Sequence, residues 1–422
     1  MSAMTPLRKT KAKDSRFETA VILGAGYSAR LAAIALDQCC EIAAIVGQPY
    51  AREPDVCPKN LQGQRAHSHI FLPRLEQEMQ RIDPTLLPEM ADLGFRFVPG
   101  SNRLPVTAPD EAKRLFATRW QFDSVIETLF KSRVSPPFVD TAVTGMETAK
   151  GRIQTIALAS GDTMEIEPKT LVVDAMGAQS PIMKDLGTDA TGLIDEPGDV
   201  AYITQFFRTT TGTHDGLPDP LIDCPHQFGP VRVLLYPGAD GWFSVSLAVS
   251  LEDRALFARL RKLHPFMELC NDSPEVAQWL ASATPVGPLR VFINPRNRWN
   301  VPLFQTGEAP ENYVAVGDAL TSMLPTLGAN CSFSATHIRI VRDLLCAGTP
   351  DFQTAFAQEI EKEQRQFFEK ARAAPPPEGE LRPYADCPEN RLSKRTKRRL
   401  KSILGLDRSK IEKQLVASSS LK

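Results

Sequence analysis

Apolar positions follow two rhythms along this chain. Over residues 19–35 (TAVILGAGYSARLAAIA) a β-branched apolar run stops at a cluster of small residues, then resumes with helical spacing. Residues 41–46 (EIAAIV), 171–177 (LVVDAMG) and 312–318 (NYVAVGD) are short continuous apolar runs, as expected of strands buried on both faces of a parallel sheet. Between residues 200 and 249 the rhythm alternates instead, predicting antiparallel strands over 201–208, 231–236 and 241–250. Shorter strands are expected over 139–146, 153–159 and 163–166, around turns at Lys150-Gly151 and Ser160-Gly161-Asp162.

Helical spacing covers 75–93, broken at Pro84, and a stretch opened by Arg119 with Phe122, Val125, Ile126 and Leu129 on one face. It returns over 251–280, interrupted near His264-Pro265, then from the 324–330 turn to Cys346, and over 351–374. Pro375-Pro376-Pro377 reads as a stiff linker.

This order predicts an α/β protein with a discontinuous Rossmann-type domain, residues 18–190 and 302–374. An antiparallel-sheet domain, 191–301, is inserted into it, with part of 75–120 contributing to the same side. Residues 375–422 form the linker and a small, basic, helical appendix, and residues 1–17, basic and without an apolar core, a disordered leader. Hydrophobic content of 42% and charged content of 23% are those of a globular protein. A net charge of −1 gives no overall field toward nucleic acid, and no apolar stretch is long enough for a membrane span. The eight cysteines show no metal-ligand spacing, so no metal is expected, and reduced thiols in a cytoplasmic protein fit best.

The candidate chemistry begins at Gly24-Ala25-Gly26-Tyr27-Ser28-Ala29, a G-x-G-x-x-A pattern between a strand and a helix. Gly24 would turn the chain out of the strand. Gly26 would admit a pyrophosphate to the backbone, and Ala29 would let the helix pack closely. The end of the second strand, where such folds carry an acid for the ribose, holds Gly47-Gln48; Gln48 can still accept one hydroxyl bond. His67 and His69 lie two apart beside Arg65.

GAGYSA, LVVDAMGAQS and YVAVGDALTSMLPTLGAN, in that order, resemble the FAD-dependent monooxygenases of the p-hydroxybenzoate hydroxylase type. That group includes styrene monooxygenases and tryptophan halogenases, and the resemblance spans roughly residues 18–350. It implies FAD lying across the parallel sheet under an antiparallel roof. It also implies that Gly24, Gly26 and Ala29 serve the pyrophosphate, Asp318 the ribityl chain, Pro325 the pocket wall and Gly328 with the following helix start the pyrimidine edge. Arg119 matches an arginine that opens a helix near the flavin.

The chain departs from the pattern in three places. Only Gly328 stands where G-x-G is usual, Met176-Gly177 replaces Asp-Gly, and the W-x-W-x-I-P signature of tryptophan halogenases is absent. Halogenation is therefore disfavoured, and docking of NAD(P)H at the middle motif is in doubt.

The implied activity is hydroxylation of an electron-rich aromatic substrate through a flavin C4a-hydroperoxide. Electrons would come from NAD(P)H or a separate reductase. His67, His69 and His337 are the candidate acids or bases. The chain also resembles the flavoproteins that hydroxylate a protein-bound tryptophan during tryptophylquinone cofactor maturation. In that case the substrate is peptidyl, and the basic cluster from Arg391 to Lys401 (RLSKRTKRRLK) would dock an acidic protein partner. A flavin-dependent reductase or dehydrogenase, or a non-catalytic flavin-binding partner protein, are the alternatives.

Overall fold

The computed structural model describes residues 16–48, 66–95, 97–99, 113–187, 190–217, 225–293, 295–325, 328–373 and 378. Arg65, the triple proline and the Arg391-to-Lys401 cluster lie outside these residues. The four apolar runs, joined by Phe138–Val139 from the start of the strand expected over 139–146, form one parallel sheet in the spatial order Tyr313–Ala315, Thr170–Asp174, Thr19–Leu23, Glu41–Val46 and Phe138–Val139. In chain order that is 5-4-1-2-3, the winding of a dinucleotide-binding half-fold. Thr19–Leu23 and Thr170–Asp174, at its centre, are almost wholly buried. The helices Tyr27–Leu36, Arg119–Arg133 and Asn330–Cys346 pack together over the sheet, the first touching both others.

The alternating segments form a second sheet, antiparallel throughout, in the order Pro225–Phe228, Val231–Pro237, Trp242–Ser250, Val200–Thr209 and Ala283–Phe292. The period of two divides its faces. Ile203, Phe207, Val233, Val245 and Leu247 turn to a core shared with Leu260, Phe266, Val276 and Trp279. Those four come from three short helices, Arg254–Leu260, Leu263–Asn271 and Pro274–Ala281. Tyr202, Leu234, Tyr236 and Ser246 turn the other way, toward the ends of the parallel strands.

Two local expectations need correction, and one break is added. Residues 251–280 break near His264-Pro265 as expected, just before Leu263, and again before Pro274. Pro265 sits in the first turn of its helix, where its missing N–H costs no bond. Arg16 and Phe17, assigned to a disordered leader, are placed: Phe17 is buried against Phe352, and Arg16 Nη2 donates to Glu311 Oε2 at 3.0 Å. Reduced thiols were expected, but Cys39 and Cys346 form a disulfide across a sequence separation of 307 residues, while among the described residues Cys270 and Cys331 are buried thiols. No local spacing could reveal a pair so distant.

A fully buried Glu78 ties the helix layer together: its carboxylate meets Arg74, Arg81 and Arg339, and Arg339 also meets Glu363. A buried carboxylate is tolerated only when it is paired in this way. The disulfide locks the C-terminal ends of the two helices whose N-terminal ends face the cavity described below. Cys39→Ser, or dithiothreitol added to the wild type, should lower unfolding stability by about 2–4 kcal/mol. Denaturant unfolding with and without reductant measures this, and coincident curves would contradict the bridge.

Candidate functional site

A cavity of about 740 Å³ lies between the C-terminal ends of the parallel strands and the inner face of the antiparallel sheet. Gly24, Val46, Gly47, Ala175 and Val316, at or just beyond four strand ends, form part of its wall. Open α/β sheets bind ligands at this place because strand order reverses there and the connecting loops diverge.

The strand ends are in backbone contact. Gly24 has φ +121°, and a Cβ on it would lie 2.5 Å from the Ala175 carbonyl oxygen. A Cβ on Gly47 would lie 2.8 Å from the Gly24 carbonyl carbon. Gly24 N donates to Val46 O at 2.7 Å, closing the gap. The chain leaves this pinch through Gly26, the extended N-cap of Tyr27–Leu36. No side chain caps that helix and its first turn holds no acid, so its initial N–H groups face the cavity with the positive end of the dipole. Gln48 also lines the cavity, whereas Ala29 is fully buried and does not.

A second helix start meets the same space. Asn330–Cys346 likewise has no side-chain cap and no acid in its first turn. Asn330, whose side chain accepts from Met323 N at 3.0 Å and donates to Met323 O at 2.9 Å, closes the turn that carries Pro325 and Gly328. Gly328 has φ +64°, and a Cβ there would meet Ile70 Cγ2 at 2.0 Å. Ser28 and Ser334, one on each helix, share a 2.8 Å hydrogen bond beside Gly317.

Asp318 stands on the cavity wall just past Gly317. His337 does not line the cavity. Its Nδ1 accepts from Gly317 N at 3.0 Å, which leaves the proton on Nε2, 2.8 Å from Gln364 Oε1. Burial holds it neutral, with a pKa of about 4. It is a strut for the Gly317-Asp318 turn, and its place among the candidate catalytic histidines is corrected accordingly.

Arg119 reaches the cavity from a helix whose start is fixed by Thr118 and Gln121 in a reciprocal capping box. Its Nε donates to Asp123 Oδ1 at 2.9 Å, its guanidinium lies 4.7 Å from the Tyr27 ring centre, and Nη1 is 3.3 Å from His69 Nε2. His69 Nδ1 donates to His67 O at 2.9 Å, so Nε2 carries the lone pair that Arg119 meets. Burial, then the Arg119 charge, pushes His69 down to about 3. Near neutral pH it is therefore an acceptor and not an acid.

The roof carries a row of hydroxyls that no motif announced. His67 Nδ1 is 2.9 Å from Thr204 Oγ1, which meets Ser246 Oγ, and Ser246 is 2.8 Å from Ser68 Oγ. Ser68 in turn donates to Ser244 Oγ at 2.7 Å. Burial, then the Arg290 charge, lowers His67 to about 4. Tyr202, Tyr236 and Phe292 surround this row with aromatic surface. The spacing Ser244-x-Ser246 within an apolar strand was the available signal, since alternation sends both to one face.

No protein-family model matches the chain, and no curated protein matches it. Solved structures do. The myxobacterial chondrochloren halogenase CndH aligns over 96% of this chain and 91% of its own, with 15% identity and a TM-score of 0.62. The chain has the fold of the flavin-dependent halogenases and monooxygenases. PqsL, a probable FAD-dependent monooxygenase from Pseudomonas aeruginosa, matches over 84% of this chain and 93% of its own at 14% identity and TM-score 0.59. The flavin-dependent halogenase CmlS matches over 84% of this chain at 17% identity and TM-score 0.59, and the chain spans 63% of its length. Both reaction types thus share this fold.

The buried histidines give the fold a pH dependence. Folded values of about 4 for His67 and His337 and about 3 for His69 lie below the unfolded imidazole value of about 6.5. Above about 6.5 neither state binds the proton. Below it the unfolded chain does and the folded chain does not, so stability falls as pH drops from about 6.5 toward 4. Urea unfolding across this range should show the slope, and His67→Asn should reduce it by roughly one proton. A slope the substitution leaves unchanged would mean that His67 is charged in the fold.

Proposed function

We propose that the chain is an FAD-dependent oxygenase acting on an electron-rich aromatic substrate. One observation carries the reading: two uncapped helix starts, a carboxylate between them and an aromatic, hydroxyl-lined roof share one cavity. The uncapped N–H groups of Tyr27 and Ser28 would hold the pyrophosphate, with Gly24 and Gly47 letting the strand ends close against each other behind them. Asp318, an acceptor, would take a ribityl hydroxyl. The helix start at Asn330, the Gly328 turn and Pro325 would meet the far end of the ring, where the dipole favours negative charge. Arg119, held by Asp123 and Tyr27, would lie beside it.

When bound, FAD supplies the redox and oxygen chemistry that amino-acid side chains lack. The chain's own part is to orient and exclude. Tyr202, Tyr236 and Phe292 would hold an aromatic ring, and Ser68 and Ser246, backed by the buried Thr204, would meet a polar substituent on it. Oxygen transfer is favoured over halogenation because the W-x-W-x-I-P signature is absent. Protein-bound tryptophan remains one substrate of the required type.

Reconstitution should give a yellow protein with one FAD per chain, and Asp318→Ala should weaken FAD binding about 10- to 100-fold. Reduction under labelled oxygen with an aromatic panel should then give product carrying the label. A chain that stays colourless contradicts the flavin reading. Cofactor turnover without labelled product, or halogenated product when bromide is present, contradicts the oxygenase reading.

A further inference from the structure

The cavity wall carries a charged feature that the cofactor reading leaves unused. In the strand Arg296–Trp299 the side chains alternate. Asn297 Oδ1 accepts from Leu324 N at 3.0 Å and Trp299 is buried against Phe368, while Arg296 and Arg298 turn to the cavity. Both arginines converge on one carboxylate: Arg296 Nε lies 2.5 Å and Arg298 Nε 3.3 Å from Asp195 Oδ1. Arg296 Nη2 also donates to Asp195 O at 2.8 Å, and Arg298 Nη1 to Ala178 O at 2.7 Å. Arg296 Nη1 and Arg298 Nη2 have no hydrogen-bond partner among the described residues.

Two guanidiniums against one carboxylate leave one positive charge. Arg119, the other arginine on the wall among the described residues, is already matched by Asp123. The arginine side chains are 37% and 15% exposed, so a ligand can reach them without unfolding anything. Two planar forks, two residues apart on one strand face, suit an oxyanion with several acceptor atoms.

We propose that Arg296 and Arg298 form an anion-binding subsite for a carboxylate or phosphate group on the second ligand, the substrate or the electron donor, rather than on FAD. The assignment rests on the flavin reading only in naming that ligand. The uncapped start of Tyr27–Leu36 already offers the cofactor's pyrophosphate a place.

Calorimetric titration of the FAD-loaded protein with benzoate, NADH and NADPH tests this. At least one probe should bind, and Arg296→Gln and Arg298→Gln should each weaken it about 10- to 100-fold. Asp195→Asn, which removes the neutralising charge, should tighten it, and FAD affinity should stay unchanged in all three variants. Loss confined to benzoate identifies a carboxylate on the substrate; loss confined to a nucleotide identifies the donor's phosphate. If Arg298→Gln fails to fold because the Ala178 contact is gone, the more exposed Arg296→Gln still decides. Absence of binding by every probe, unchanged affinities, or a parallel fall in FAD affinity would overturn the subsite. Should FAD itself not bind, the same titrations on the unloaded chain judge the subsite separately.

Discussion

Where the first, second and fourth strands of the parallel sheet end, there is room for backbone and nothing more. Gly24 is pressed between the Ala175 carbonyl on one side and Gly47 on the other, with φ in the range that only glycine adopts without strain. That pinch sends the chain straight into Tyr27–Leu36 and aims the helix start at the cavity. It also brings the turn after Asp174 alongside. Asp174, fully buried, holds that turn through Met176 N at 2.9 Å and Ser180, with Tyr313 OH at 2.8 Å behind it. A side chain at Gly24 or Gly47 would push these strands apart and disturb the cavity wall they build.

The second helix start is placed by different means. Asn330 braces its own turn through Met323, His337 holds the Gly317 amide from beneath, and Ser28 meets Ser334 across the gap. The two helices are then joined at their far ends by Cys39 and Cys346. The cavity is thus framed by two dipoles of the same sign, with Asp318 between them and cationic side chains at the wall. Such a frame favours an anionic, elongated ligand.

Four of the parallel strands were legible because burial on both faces leaves continuous apolar runs, and the roof strands because one polar face leaves alternation; the edge strand Phe138–Val139 is not buried and left no such run. The glycine pattern was legible because its flanks were a strand and a helix. Gly47 was seen only as a missing acid; its steric duty arises from Gly24, far away in sequence, and has no local signal. His337 stood among the candidate acids or bases because its Gln364 partner, on another helix, leaves no local signal. The Arg296-Arg298 pair was overlooked because its meaning depends on Asp195, which reaches it only through antiparallel pairing. The disulfide failed to appear for the same reason. Local periodicity reports what a segment buries, and long-range pairing reports what it touches.

Everything in the functional account depends on one elongated ligand bridging the two helix starts. A crystal structure of the chain saturated with FAD tests it most directly. The pyrophosphate is expected at the Tyr27 and Ser28 amides, the ribityl chain against Asp318 and the ring beneath Tyr202 and Tyr236. Density for FAD at another surface, or an empty cavity at saturating FAD, would contradict it.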